Sequence, residues 1–168
     1  MSANTKIKAF LGLGNPGKEY EKTYHNIGKW VTEKLRIEYQ KEIGARVDFT
    51  NKTSFMNQSS VLAAALLKNK PYGAESLLVV HDDSDLVRGS YKLVFGGSSA
   101  GHKGIQDIID NLGTEDFWRL RIGVRDPNEA VRRKADEFVL QKWSKADEII
   151  FTTVLEKAWQ EMQEKKLV

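Results

Sequence analysis

Cysteine is absent from the 168 residues. That removes disulfides, thiol catalysis and cysteine-ligated zinc from consideration. Only three prolines occur, and there is no Pro-rich linker, internal repeat or low-complexity stretch to mark a domain boundary. A single domain spanning residues 1–168 is therefore expected, within the usual size range. No apolar run approaches the ~18 residues of a membrane span, and Met1–Lys6 lacks the apolar heart of a signal peptide, so a cytoplasmic protein with no membrane partner is expected. What is present is ordinary for a globule: 40% hydrophobic and 29% charged residues. Lys+Arg 26 against Asp+Glu 23 leaves +3, a balance that permits an RNA or phosphate partner without requiring one.

Apolar patterning predicts strands at Ile7–Leu13, Val47–Asn51, Leu77–Val80, Tyr91–Phe95 and Leu120–Val124. Helical spacing of Ile27, Trp30, Val31 and Leu35 predicts a helix after Asn26, with Thr23 and Asn26 as caps. Further helices are predicted at Val61–Leu67, Gly104–Leu112 and 146–165, the last with Ile149, Ile150, Val154, Leu155 and Trp159 as its apolar stripe. The alternation implies an α/β fold, a three-layer α/β/α arrangement around a twisted, mostly parallel mixed sheet. Sites in such sheets lie beyond the carboxyl ends of the strands. Three segments read as loops, Gly12–His25, His81–Asp85 and Gly96–Lys103, would converge there, and they hold all three histidines.

Several motifs match a chemistry and then fail its context. Gly12-x-Gly14-x-x-Gly17 fits a dinucleotide fingerprint, but Pro16 and a polar stretch follow where a packed helix belongs. Gly97-x-Ser99-x-Gly101 fits a nucleophile elbow, yet no histidine lies beyond His102 to complete a triad. Asp82, Asp83 and Asp85 beside His81 could ligate a hard metal, and the three histidines could bind zinc, but no pair has ligand spacing. The constellation left is His25 with Asp82: an imidazole oriented by a carboxylate, able to act as general base toward water. Asn15, Asn26 and Asn57 are neutral amides suited to a peptide backbone or an oxyanion.

Gly12-Leu-Gly-Asn-Pro-Gly17, Tyr24-His25-Asn26, Thr53-Ser-Phe-Met-Asn57, His81-Asp82, Gly101-His102-x-Gly104 and Arg119-Leu-Arg-Ile-Gly123 resemble bacterial peptidyl-tRNA hydrolase in order and spacing. The resemblance is strong from about residue 7 to 125. It implies a monomeric single-domain α/β enzyme, with no metal or cofactor, that hydrolyses the ester joining a peptide to tRNA. By position, His25 would be the base and Asp82 its orienting carboxylate. Asn15 and Asn57 would hold the peptide portion and the scissile region, with Tyr20, Phe55 and Met56 lining the site. Arg121 would grip the 5′-phosphate region of tRNA. The chain departs from the family at Lys103, where the pattern carries asparagine, and at Val94, where a basic residue is usual. Lys92 or Arg132-Arg133-Lys134 are candidates to compensate. The segment Tyr39–Lys52 and the stretch after the last helix are shorter than usual. Two other readings stay open: a non-enzymatic RNA-binding relative, and an unrelated α/β hydrolase or phosphorylase acting on small esters or nucleosides.

Overall fold

The computed structural model describes residues 5–43, 47–50, 52–130 and 132–168. Five strands, β1 (Ala9–Gly12), β2 (Asp48–Phe49), β3 (Leu77–Val87), β4 (Tyr91–Phe95) and β5 (Trp118–Arg125), form one sheet in the order β2-β1-β3-β5-β4. All neighbours are parallel except β4 and β5. The helices are α1 (Ile27–Glu38), α2 (Gln40–Ile43), α3 (Ser59–Leu67), α4 (Lys103–Leu112) and α5 (Lys145–Glu164).

Strand alternation builds two cores. Phe10, Leu78, Val80, Leu120 and Ile122 meet α1 and α5 on one face, while Ala9, Leu11, Leu77 and Val79 meet α3 and α4 on the other. Two covered faces make the three layers the sequence implied. Because β1 pairs with β2 on one side and β3 on the other, the chain reverses its direction of winding between β1 and β3. A crevice opens at the carboxyl ends of those strands.

Three local expectations change. The segment His81–Asp85 is not a loop: it continues β3, pairing His81, Asp82 and Asp83 with Arg121, Ile122 and Gly123. Polar residues persist in this buried strand because partners satisfy Asp82 and Asp83, which offsets their desolvation. Asn26 makes no side-chain cap on α1, since its amide is committed to Asn15. The buried stripe of α5 is Phe151, Val154, Leu155, Ala158, Trp159 and Met162, whereas Ile149 is 70% exposed. That helix starts on a capping box in which Ser144 and Asp147 exchange hydrogen bonds. The strand expected at Val47–Asn51 is Asp48–Phe49, and its last residue, Asn51, lies outside the described residues.

Candidate active site

A 3-10 turn, Tyr24–Asn26, precedes α1 and presents His25 at the crevice. From β3, Asp82 points its carboxylate at the ring: His25 Nδ1 and Asp82 Oδ1 are 2.8 Å apart, with the Asp82 side chain 4% exposed. The same oxygen lies 3.0 Å from His102 Nε2. His102 is the N-cap of α4, and its Nδ1 accepts the Ile105 amide at 3.3 Å, so Nε2 carries the proton that is donated to Asp82. An ionised carboxylate only accepts, so His25 Nδ1 is likewise the donor. In the neutral ring the lone pair is then left on Nε2, available to take a proton from water.

The charges support this assignment. Burial alone would raise the Asp82 pKa, but the two imidazoles hold it well below the usual carboxylate range. Burial also disfavours charge on His25, yet attraction and hydrogen bonding to Asp82 outweigh it, and its pKa is raised above 6.5. Lys103 opposes that rise. Below them His81 is buried, donates Nδ1–H to the Asp82 carbonyl at 2.7 Å and packs edge-on against His102. Burial, then the neighbouring His102, push the His81 pKa far down, which keeps this ring neutral.

Among the described residues, His25, Asp82 and His102 are the one group whose ligand atoms cluster tightly, within 4.8 Å. The donor set could suit zinc. A cation there would displace the proton from His102 Nε2 onto Nδ1, which would then face the Ile105 N–H donor. The hydrogen bonds therefore fit protons at these nitrogens better than a metal.

Asn15 follows β1, and Asn26 clamps it: the Asn15 amide donates to Asn26 Oδ1 and Asn26 Nδ2 donates to the Asn15 carbonyl, both at 2.9 Å. The Asn15 side-chain oxygen accepts the Met56 amide at 2.9 Å, which fixes the loop that carries Phe55 and Asn57. Asn15, Phe55, Met56 and Asn57, with His25, Asp82, Lys103 and Arg121, line one cleft of about 620 Å³. Val139 and Leu140 form part of its far wall. Two of the anticipated residues lie outside the cleft lining: Tyr20, in the 3-10 turn Lys18–Tyr20, and Asn26, whose amide is committed to Asn15. Phe55 is half exposed at the rim, Met56 is buried, and Asn57 and Lys103 are exposed. Arg121 is paired with Asp83 at 2.7 Å. Buried Arg119 donates to Ser98 O at 2.7 Å and also to Gly96 O, pinning the glycine loop to β5.

His102 is the functional neighbour that the sequence reading passed over. Its segment is expected to converge with those of His25 and Asp82, but the spacing carries no sign that its Nε2 shares the Asp82 oxygen with His25.

A buried carboxylate aligning a cleft imidazole on a three-layer α/β fold is the arrangement of a general-base hydrolase; Ser84 and Ser99 also line the cleft, but among the described residues no serine hydroxyl is hydrogen-bonded to that imidazole. The family model described as peptidyl-tRNA hydrolase matches residues 9–166, and the chain belongs to that family. It is 40% identical over 152 residues to the peptidyl-tRNA hydrolase of Variovorax paradoxus, covering 81% of this chain and 71% of that one. Identity to the Aquifex aeolicus protein of the same name is 38% over 169 residues, covering 90% and 86%. The crystal structure of peptidyl-tRNA hydrolase from Acinetobacter baumannii superposes with a TM-score of 0.77 at 27% identity, covering 97% of this chain and 89% of that chain.

Proposed function

We propose that the chain, acting in the cytoplasm as one domain, hydrolyses the ester between peptide and tRNA in peptidyl-tRNA. Membership of the family supports the reaction. The observation that carries the mechanism is the 2.8 Å contact between His25 Nδ1 and Asp82. His25 Nε2 removes a proton from water as the hydroxide equivalent adds to the ester carbonyl. Asp82 holds the ring in the required tautomer and stabilises the imidazolium. The tetrahedral intermediate then collapses, and His25 returns the proton to the departing ribose oxygen. An ester has a good enough leaving group for this route, without an acyl-enzyme. Asn15, locked by Asn26, and exposed Asn57 offer amides to the peptide and the scissile region. Phe55 and Met56 supply the apolar wall.

The RNA side rests on phosphate contacts. In the β4–β5 register Lys92 stands directly opposite Arg121, and neighbours across an antiparallel pair share a face. Lys92 is exposed and has no ion pair among the described residues, whereas Arg132 is paired with Asp85 and Arg133 with Glu129. Lys134 is also exposed and without an ion pair among the described residues, so it is the register opposite Arg121 that makes Lys92 the better substitute for the missing cation at Val94. Lys92→Gln should raise KM for peptidyl-tRNA, leave kcat unchanged, and reduce the log–log salt slope of binding by about 1. An unaltered slope would place the RNA elsewhere.

Lys103 stands where an amide would donate and accept, and an ammonium only donates. Lys103→Asn should raise the plateau rate about three-fold, and it should move the acidic limb of the pH–rate profile upward because Lys103 lowers the His25 pKa. A large loss of hydrolysis would instead give the lysine a role of its own.

The substrate class is tested by comparing peptidyl-tRNA with a tRNA-free activated ester of the same peptide. A strong preference for the tRNA ester supports the proposal. Equal turnover of both, insensitive to salt, would favour a small-ester hydrolase.

A further inference from the structure

The turn between β3 and β4 carries a cation that none of these steps uses. Arg88 is outside the cleft lining, and its side chain is only 15% exposed. Its Nη1 donates to Asp147 Oδ1 at 2.6 Å, and its guanidinium lies 5.1 Å from the centre of the Tyr24 ring. Asp147 is buried at the start of α5. Its Oδ2 accepts from the Ser144 amide at 2.8 Å, the Ser144 hydroxyl at 2.9 Å and the Tyr24 hydroxyl at 3.2 Å. Phe138 and Phe151 pack edge-on against the same tyrosine ring.

Tyr24 and His25 are consecutive residues of one 3-10 turn. Their amides donate to Gln141 O at 3.1 Å and Val139 O at 2.8 Å, so the turn is also bonded to the far wall of the cleft. One carboxylate therefore ties the β3–β4 turn and the first turn of α5 to the residue before His25. The pairs that do this are 59 and 123 residues apart in the chain.

We propose that Arg88 is a positioning residue: through Asp147 and Tyr24 it holds the turn that aims His25 at Asp82. The inference rests on the reading of His25 as the base. A brace serving stability alone could be anchored anywhere, but these anchor points bracket the imidazole and the wall at Val139. Burying a cation is costly, and apolar packing at the same turn would avoid the cost. Geometry gives the cost a purpose, since misplacing a reacting group by about 1 Å can slow a reaction ~100-fold.

The test uses the full chain with peptidyl-tRNA. Arg88→Met should lower kcat about ten-fold with KM within about two-fold. The acidic limb of its pH–kcat profile should move to lower pH, because the imidazole loses part of its hold on Asp82 while His102 and Lys103, which also face it, are unaltered. Arg88→Lys keeps a charge for Asp147 and Asp126 and should recover at least about a third of kcat. A lowered unfolding midpoint with kcat and pH limb unchanged would overturn the inference. Tyr24→Phe keeps the ring and removes only the hydroxyl link, which covers the case in which Arg88→Met does not fold. It should lower kcat about three-fold at constant KM, and an unchanged kcat would also overturn the inference. Inactivity of the unaltered chain would count against the esterase reading instead, so the two failures are distinct.

Discussion

Asp82→Asn is expected to reduce kcat for peptidyl-tRNA by about 10³-fold or more while changing KM little, as for orienting carboxylates in other base-driven hydrolases. Asp82 Oδ1 is the common acceptor for two imidazole donors. An amide at this position is neutral and has one acceptor oxygen. When its NH₂ faces His25, the ring must accept at Nδ1 and carry its proton on Nε2, where the lone pair is needed. The oxygen arrangement leaves the tautomer intact but removes the charge that favours imidazolium. Either outcome slows proton abstraction. The pH dependence has a definite sign: the unaltered enzyme should gain activity through a limb centred above 6.5, because Asp82 raises the His25 pKa. In Asp82→Asn whatever rate remains should rise through a limb at lower pH, measured as kcat against pH under saturating substrate. A profile that does not move would mean that the carboxylate does not govern the base.

Gly28→Ala should be nearly as damaging, by a different route. A Cβ on Gly28 would lie 2.0 Å from Val80 O and 2.9 Å from the Leu13 amide nitrogen, both backbone atoms that cannot step aside alone. Val80 O also accepts the Leu13 amide at 2.9 Å, so the contact sits at the β1–β3 seam beneath the site. Overpacking of a rigid interior costs ~1–3 kcal/mol, and the upper end applies where backbone is met on two sides. Relief requires α1 to lift from β3. His25 is just before α1 and Asp82 is two residues beyond Val80, so the same movement separates the pair. Thermal unfolding should show a loss of about 3 kcal/mol, and kcat should fall at temperatures where the variant is still folded. Full stability would mean that the close helix–strand approach is not required.

Much of this architecture was legible because local pattern and tertiary packing agree. Ile27, Val31 and Leu35 recur at helical spacing and are buried, and Leu77–Val80 reads as a strand covered on both faces. The pattern misled where burial is decided by partners far along the chain. His81–Asp85 reads as polar loop, yet it continues β3 and is buried as far as Asp83, with His25, His102 and Arg121 satisfying Asp82 and Asp83. Ile149 and Ile150 read as core, but after buried Asp147 the apolar buried face of α5 begins only at Phe151. The His25–Asp82 pair spans 57 residues and came from chemistry and family resemblance rather than from spacing. The choice of Lys92 over the arginines required the strand register and the ion pairs, which composition cannot supply. Tyr20 remains at a distance that only the fold reveals, outside the cleft lining.

The most direct measurement is the rate of tRNA release from peptidyl-tRNA by the unaltered chain and by His25→Asn, side by side in excess EDTA. The account predicts prompt release by the unaltered chain and a loss of about 10²–10⁴-fold in the variant, with tRNA binding retained. Release by His25→Asn at the unaltered rate, or release by the unaltered chain that stops when the chelator is added, would contradict it.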